Sequence, residues 1–133
     1  MSINEIVRKH LRQSQLYQGT HQVIIYNTTE STFIGYYPRG QQVTYSENWP
    51  SHIELEIIGT TCRLLRIAID KQHRGQGHGK KLYEIIENIA KELGCTKINM
   101  TPLGTTKKGE TRLAYLLQLG YAQIGDKVEK ILT

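Results

Sequence analysis

The chain has 133 residues, a formal net charge of +5 and 38% hydrophobic residues. At this length roughly two thirds of the unfolded surface can be buried, so folding needs neither a disulfide nor a metal. The sequence contains no run of about 18 apolar residues, which excludes a membrane-spanning helix, and the segment Met1 to Gln15 lacks the apolar core of a signal peptide. We therefore expect a cytoplasmic protein whose residues 1–133 form a single domain.

Two isolated cysteines and an excess of basic residues narrow the class of protein. Cys62 and Cys95 lack a paired motif, so we expect free core thiols rather than a disulfide. The cysteines and the five scattered histidines do not have the spacing of metal ligands, so no metal site is predicted. Lys and Arg outnumber Asp and Glu by 17 to 12 without forming a charge run, which suits ordinary solubility or an anionic cofactor.

The N-terminal half of the sequence predicts one helix followed by antiparallel strands. Apolar residues at helical spacing predict an amphipathic helix within residues 3–16. Runs rich in β-forming residues predict strands at 21–26, 32–37, 42–45, 52–58 and 62–69. Residues 46–51 are interpreted as a loop, and Gly59 marks the turn of a hairpin.

The C-terminal half alternates between helix and strand. Apolar residues repeating between Leu82 and Leu93 predict a long helix that Gly94 ends. A strand at 97–100 follows, then a helix at 110–119 with Leu113, Leu116 and Leu117 facing inward, and a hairpin of strands at 121–124 and 128–132. The strand–helix–strand piece implies a parallel pair, so the predicted fold class is α/β, more fully an α+β mixed sheet of mostly antiparallel strands.

A glycine-rich turn stands between a predicted strand and the strongest predicted helix. It runs from Arg74 to Gly79 with the sequence RGQGHG, and Lys80 and Lys81 follow it. A helix N-terminus carries unpaired N–H groups and a partial positive charge. Because glycine has no Cβ, these groups can approach a ligand closely, which suits a pyrophosphate.

Two other phosphate-binding patterns do not fit this turn. The ATP-type loop needs GxxxxGK followed by Ser or Thr, but Arg74 stands at the first glycine position and Lys81 replaces the hydroxyl. The dinucleotide fingerprint needs G-x-G-x-x-G and an acid near the end of the second strand, and both features are missing. A plain strand-to-helix turn is the alternative, although one tight turn needs one glycine rather than three.

The spacing of several residues around the turn points to a known family. The strand Leu65–Asp70 precedes Arg74, Gly77 and Gly79, and Leu119-Gly120-Tyr121 ends the second helix. This arrangement resembles the acyl-CoA-binding motif Q/R-x-x-G-x-G/A of the GNAT (Gcn5-related) N-acetyltransferases, and the resemblance covers about residues 53–132. It implies a GNAT-like fold, acetyl-CoA as the cofactor, and transfer of an acetyl group to a primary amine of a protein or a small molecule.

The resemblance also implies which residues hold the cofactor. Backbone amides of the turn would bind the pyrophosphate, and the end of the preceding strand would pair with the pantetheine arm and hold the thioester carbonyl. That strand would splay from the strand at 97–100 and leave a cleft. The implied cofactor-binding residues are Ile67, Ala68, Ile69, Arg74, Gly75, Gln76, Gly77, His78, Gly79 and Lys80.

The acid and the base for acyl transfer are less directly indicated. The family's acid is a Tyr about three residues before the Leu-Gly-Tyr ending, where this chain has Leu116, so the candidate is its neighbour Tyr115, with a packed or surface tyrosine as the alternative. Glu54 and Glu56 alternate along a strand and share one face, which makes them candidate bases. A solvated strand face, or an ion pair between Glu56 and Arg63, would explain these carboxylates equally well.

Two other functions stay open. The missing Tyr at position 116 suits a non-catalytic acyl-CoA-binding or regulatory module that kept the fold. The net charge and the run YYPR at residues 36–39 would suit single-stranded nucleic acid, but no nucleic-acid motif is recognisable, which disfavours that partner. For an enzyme the expected partner is an amine acceptor, protein or small molecule, with no membrane involved and a homodimer as one option.

Overall fold

A computed structural model of the protein describes residues 1–17, 20–39, 51–103 and 111–133. In chain order the elements are α1 (Ile3–Leu11), β1 (His21–Asn27), β2 (Thr32–Pro38), β3 (His52–Ile58), β4 (Thr61–Ala68), α2 (His78–Glu92), β5 (Lys97–Met100), α3 (Arg112–Gln118), β6 (Ala122–Ile124) and β7 (Lys127–Ile131). Short 3-10 helices lie at Gln15–Tyr17 and Lys71–His73. None of the described helices is both long and apolar enough to cross a membrane.

The seven strands of the described chain form one sheet in the order β1-β2-β3-β4-β5-β7-β6. Neighbouring strands are antiparallel except β4 and β5, which are parallel because α2 connects them as a crossover. The mixed, mostly antiparallel sheet confirms the predicted fold class, and each observed strand ends within one residue of its predicted bounds. The predicted strand at 42–45 lies outside the described residues, as does the predicted loop at 46–51 apart from Ser51.

The parallel strands β4 and β5 pair over only part of their length. Thr61–Arg63 pairs with Lys97–Asn99, and beyond this point no described strand lies on that side of β4. A bulge at Leu65 bends β4 in the same region, since Glu54 pairs with Arg66 while the next residue of β3 pairs with Leu64. The sheet therefore opens between β4 and β5, as the resemblance implied.

Two helices pack against one face of the sheet because each has an apolar stripe at helical spacing. The buried stripe of α1 is Ile6, Val7 and Leu11. The buried stripe of α2 includes Leu82, Ile85, Ile86, Ile89 and Ala90. Val7 and Leu11 of α1 and the stripe of α2 join one cluster with Ile34, Leu55 and Leu64, which the strand register places side by side on one face. This cluster is the core that supports the start of α2.

The first helix is shorter than predicted. It ends at Leu11 because the next amides bond three residues back, with Gln13 N donating to His10 O and Ser14 N donating to Leu11 O. The tighter turn leads into the 3-10 helix, where Leu16 and Tyr17 are buried. The chain thereby places the Tyr17 side chain under the ends of β3 and β4.

The third predicted helix, at 110–119, is also shorter, and one of its leucines faces outward. Thr111 caps α3 by accepting a hydrogen bond from the Ala114 amide. Leu116 is fully buried, whereas Leu117, which we expected to face inward, is 43% exposed. Consecutive helical residues point roughly 100° apart, so burial of Leu116 turns Leu117 toward solvent.

Both cysteines are buried free thiols, as predicted. Burial raises the pKa of the Cys62 thiol to about 12 and also raises the pKa of Cys95. Both thiols are therefore protonated at neutral pH, which keeps them poor nucleophiles and leaves them a packing role.

A buried polar network holds the C-terminal hairpin against α2. Glu87 accepts a hydrogen bond from Tyr121 Oη at 3.0 Å and forms an ion pair with Lys130 Nζ at 3.0 Å. The same ammonium donates to Leu119 O and lies over the Tyr121 ring. Because both partners satisfy the buried carboxylate, removing either one would leave it poorly compensated. Tyr121 of the Leu-Gly-Tyr ending therefore has a structural role.

Candidate cofactor and catalytic site

Asp70 anchors the glycine turn to the end of β4. Its carboxylate accepts hydrogen bonds from the His73 amide at 3.2 Å and from Ser51 Oγ at 3.1 Å, and His73 Nδ1 lies 2.6 Å away. Burial alone would raise the pKa of the Asp70 carboxyl, but the hydrogen bonds from His73 and Ser51 outweigh burial and hold that pKa below its usual value. The ionised carboxylate fixes the path of the chain into the turn.

Two glycines give the turn its shape. Gly75 and Gly77 have φ angles of 76° and 82°, in the left-handed region where other residues are strained. Gly77 is the N-cap of α2, and no side chain caps this helix end. A Cβ placed on Gly77 would meet no atom of the described residues within 4 Å. Within the described part of the chain the space in front of the helix is thus open, and no side chain there caps the N–H groups of the helix.

The backbone N–H groups of the turn are available to a ligand. Across the described chain, no amide from Gly75 to Gly79 donates a hydrogen bond to another residue. They sit at the positive end of a helix of 15 residues, and Lys80 and Lys81 are exposed beside them. Unpaired donors, a helix dipole and two lysines together suit a doubly charged phosphate group.

The side chains of the turn fold back on the turn itself. Gln76 Nε2 donates to Gln72 O at 2.8 Å, and the His78 ring lies edge-on to the His73 ring with 5.9 Å between centroids. These contacts hold the loop without using its amides. We therefore expect Gln76 and His78 to contribute to cofactor binding through their backbone N–H groups.

Arg74 links the glycine turn to the end of β4. Its Nε donates to Ile69 O at 2.8 Å, so the side chain returns to the end of β4. This hydrogen bond joins the turn to the strand that would carry the pantetheine arm. Arg74 thus acts in the structure as a clamp between two parts of the predicted cofactor site.

The free edge of β4 offers main-chain groups at Ile67. The Tyr17 hydroxyl lies 3.2 Å from Ala68 O and 3.4 Å from His52 O. Both carbonyl groups therefore lie on the side where β3 and β4 pair. Peptide groups alternate along an antiparallel strand, which turns those of Ile67 and Ile69 toward the open side. Since Ile69 O is bonded to Arg74, the open side presents both groups of Ile67 and the N–H of Ile69. Ala68, also predicted to bind cofactor, turns its peptide groups toward β3.

The two candidate carboxylates are each ion-paired. Glu54 Oε1 lies 3.4 Å from Arg66 Nη1, and Glu56 Oε1 lies 3.9 Å from Arg63 Nη1. Ser31 Oγ also donates to Glu56 at 3.2 Å. The cross-strand pair that we kept as the alternative for Glu56 is present, and Glu54 has a comparable partner. Glu54 is opposite Arg66 and so one position from Ile67, whereas Glu56 lies nearer the hairpin turn.

The alternation along β3 already predicts that His52 shares the face of Glu54, but sequence reasoning missed the Tyr37 ring that encloses this pair. His52 is 0% exposed, and its Nε2 lies 3.9 Å from Glu54 Oε1. The Tyr37 ring stacks on His52 with 5.9 Å between centroids and lies over Gly35, where an added Cβ would come within 2.3 Å of that ring. Gly35 pairs with Glu54 in the register. The alternation along β2 and β3 indicates which residues share this face, but it does not indicate that the Tyr37 ring stacks on His52.

Tyr115 lies at the glycine turn. Its Oη is 3.2 Å from the position of a Cβ on Gly79, and its ring lies 6.1 Å from that of Tyr83 on α2. The structure thus brings this tyrosine to the N-terminal end of α2 despite the one-residue offset from the family position, where Leu116 is buried. By contrast Tyr36, which we considered for nucleic-acid stacking, is 5% exposed and donates to Tyr17 O, so its ring is not open to a base.

Comparison with known proteins gives one family. The sequence model of the acetyltransferase (GNAT) family matches residues 9–121. The fold is similar to that of PaiA N-acetyltransferase from Thermoplasma acidophilum in complex with coenzyme A, with 20% identity, a TM-score of 0.50, and coverage of 77% of this chain and 61% of that chain. An acetyltransferase from Bacillus cereus ATCC 14579 is similar with 17% identity and a TM-score of 0.55, covering 96% and 90% of the two chains. Nourseothricin acetyltransferase is similar with 9% identity and a TM-score of 0.50, covering 92% and 94%. This chain therefore spans less than two thirds of the first of these structures and most of the other two.

Proposed function

Because the chain belongs to the acetyltransferase (GNAT) family, whose members are N-acetyltransferases that use acetyl-CoA, we propose that residues 1–133 form one catalytic domain that acetylates a primary amine. The observation that carries this proposal is the open glycine turn at the start of α2, next to the unpaired edge of β4. The glycine turn suits a pyrophosphate, and the adjacent main-chain edge of β4 suits a long arm that contains amide groups. Together they suit a ligand that has both.

The proposed cofactor site divides between the turn and the strand. Amides from Gly75 to Gly79 bind the pyrophosphate, and Lys80 adds positive charge. The C=O of Ile67 and the N–H of Ile69 bind the pantetheine arm in the manner of an added strand, which leaves the N–H of Ile67 for the thioester carbonyl. Arg74 keeps the turn and the strand at a fixed separation through its bond to Ile69 O.

The proposed reaction needs a general base, a hydrogen-bond donor to the thioester carbonyl and a general acid from the chain. Acetyl-CoA supplies an activated acyl group as a thioester. Glu54 accepts a proton from the attacking amine, and Arg66 and His52 hold its carboxylate in place. The N–H of Ile67 donates to the carbonyl oxygen as negative charge develops there. The Tyr115 hydroxyl donates a proton to the sulfur that leaves.

Glu54 is favoured over Glu56 as the base because it lies closer to Ile67 in the strand register. Glu54 lies one register position from Ile67, where the carbonyl is expected, and its side chain is 17% exposed. Glu56 lies further along β3 and has two partners, Arg63 and Ser31. A largely buried carboxylate also suits an acceptor that arrives as a cation and must lose a proton before attack.

The proposal is tested by binding and turnover of acetyl-CoA. Calorimetry measures binding, and release of the CoA thiol is followed with spermidine, a lysine peptide and a peptide with a free N-terminus as acceptors. We expect thiol release that requires one of these amines and a product whose mass increases by an acetyl group. Tight binding without transfer to any amine would favour the non-catalytic module, and absence of binding would overturn the proposal.

The catalytic residues are tested by matched substitutions. Glu54→Gln and Tyr115→Phe should each lower kcat by about 100-fold with unchanged CoA affinity, as expected when a general base or acid is lost. Glu56→Gln should have a smaller effect. Glu129→Gln is the control, because Glu129 also forms a half-exposed ion pair of 3.9 Å, with Lys97 on β5, away from the glycine turn. Full activity of all three variants across the pH range would disprove the catalytic assignments and leave the cofactor site standing.

A further inference from the structure

One edge of the sheet is formed by β1, whose outer side has no strand partner among the described residues. The strand is seven residues long, and its register with β2 is unbroken from His21 to Asn27. An edge of this kind presents a row of main-chain donors and acceptors to solvent. The acetyl-transfer chemistry proposed above makes no use of it.

The hydrogen bonds flanking β1 identify which groups face outward. Arg39 N donates to Thr20 O, and Thr28 N donates to Ser31 O, so the even-numbered residues bond to β2. The odd-numbered residues therefore turn their N–H and C=O groups to the free edge. At the start of the strand His21 O is already bonded to Arg8 Nη2 at 3.1 Å. The groups of Val23, Ile25 and Asn27 are left without a main-chain partner in the described chain.

The edge lacks the features that usually prevent strand pairing. Natural edges carry lysines, prolines or bulges, or are very short. The sequence of β1, HQVIIYN, has no charged residue under neutral conditions and no proline, and its register has no bulge. Three of its apolar side chains are exposed, namely Ile24 at 44%, Ile25 at 37% and Tyr26 at 66%. The opposite edge of the sheet, β6, is only three residues long.

We propose that β1 pairs antiparallel with β1 of a second copy of this chain, about a two-fold axis at Ile24. Around this axis Val23 lies opposite the partner's Ile25, and the two exchange main-chain hydrogen bonds because both face outward. Ile24 contacts the partner's Ile24 on one face of the joined sheet. On that face Tyr26 lies beside the partner's Gln22.

A second copy fits this edge because the strand is complementary to itself. Ile24 is the midpoint of β1, so the axis through it uses all seven residues, whereas an axis at Val23 or Ile25 would leave part of the strand unpaired. Apolar side chains then meet on both faces, and no like charges face each other despite the net charge of +5. The interface forms fewer hydrogen bonds than the roughly ten of a standard one, so we expect micromolar rather than nanomolar association.

Sedimentation velocity over a wide concentration range tests the dimer. We expect the dimer fraction of the unmodified protein to rise with concentration. Ile24→Lys should raise the dimer dissociation constant by at least about 100-fold, since two lysines would meet at the axis. Ile124→Lys is the matched control, because Ile124 is an exposed apolar residue, at 58%, on the other edge of the sheet. Both variants should bind CoA like the unmodified protein, which shows that the fold is intact.

Cysteine cross-linking tests the register. Facing residues of a non-hydrogen-bonded pair have Cα atoms about 4.5 Å apart, within disulfide range, so Ile24→Cys should oxidise to a covalent dimer. In the same arrangement two cysteines at position 26 would be roughly 14 Å apart, so Tyr26→Cys should not cross-link. The native cysteines are buried and do not interfere. A monomer at all concentrations, equal cross-linking of both variants, or equal damage from both lysine variants would overturn the proposal, as would binding of only an unrelated extended peptide to this edge.

Discussion

Replacing Gly77 by alanine tests the cofactor turn with a single methyl group. Gly77 has a φ of 82°, and an alanine in this left-handed region costs about 1–2 kcal/mol of folding free energy. For a chain of 133 residues, with an unfolding entropy of about 2.1 cal/mol/K per residue, each kcal/mol lowers Tm by about 4 °C. We therefore expect Gly77→Ala to lower Tm by about 4–7 °C and to remain folded at 25 °C.

The effect of the same change on CoA should exceed the effect on stability. The methyl group would enter the space in front of α2, where no atom of residues 1–17, 20–39, 51–103 or 111–133 lies within 4 Å, and would hold the phosphates away from the amides. A hydrogen bond to a charged group contributes about 1.5–3 kcal/mol, so loss of one raises the dissociation constant of CoA by about 10- to 100-fold. Calorimetry with CoA at a temperature well below Tm measures this change.

Gly94→Ala is the matched control for backbone strain. Gly94 follows the other end of α2, has a φ of 89°, and also has no atom within 4 Å of an added Cβ. It should lose a similar amount of stability and bind CoA unchanged. If Gly77→Ala binds CoA as the unmodified protein does, or if both variants lose affinity equally, the assignment of the pyrophosphate to this turn is wrong.

Two further predictions concern Arg74 and the buried tyrosines. Arg74→Ala should raise the dissociation constant of CoA by about tenfold at low salt, and Arg74→Lys should not restore affinity if the bond of Nε to Ile69 O is what matters; full affinity in the alanine variant would refute this role. Burial raises the pKa of Tyr17 and of Tyr121 above the usual value, so their neutral forms stabilise the fold fully below about pH 10 and this contribution is lost as the pH rises further. The urea midpoint should therefore fall above about pH 10 together with a rise in phenolate absorbance, and less steeply in Tyr17→Phe; a flat profile would contradict it.

The sequence located the elements well because their signals are local. Alternating apolar residues defined the strands to within one residue, and the glycines at 59, 94 and 120 marked turns that have positive φ in the structure. The glycine turn was found for the same reason. Three glycines in six residues before a strong apolar stripe fix a strand–turn–helix unit without reference to the rest of the chain.

The helix ends were less well predicted because packing decides them. The apolar pattern of α1 runs on to Leu16, but the chain tightens after Leu11 so that Tyr17 can reach the carbonyls of β3 and β4. In α3 the pattern allowed both Leu116 and Leu117 to face inward. The orientation of α3 on the sheet buries Leu116 and leaves Leu117 43% exposed.

The roles proposed for side chains depended on tertiary structure still more. A family comparison by position placed Tyr115 one residue from the expected acid, yet the way α3 packs brings its hydroxyl beside Gly79. The bond from Arg74 Nε to Ile69 O, which joins the turn to the strand, was not predicted from the sequence. Glu54 and Glu56 were equivalent by alternation, and only the register with β4, shifted by the bulge, separates them.

What the sequence determined by itself was the set of strands and helices, the glycine turn and the family to which both point, because each rests on residues adjacent in the chain. What only the tertiary structure decided was which groups meet: the bond of Arg74 to Ile69 O, the surroundings of Glu54 and the unpaired edge of β1. These depend on strand register and helix orientation, which are set by packing between residues far apart in sequence. Local sequence patterns therefore do not predict which of these groups meet.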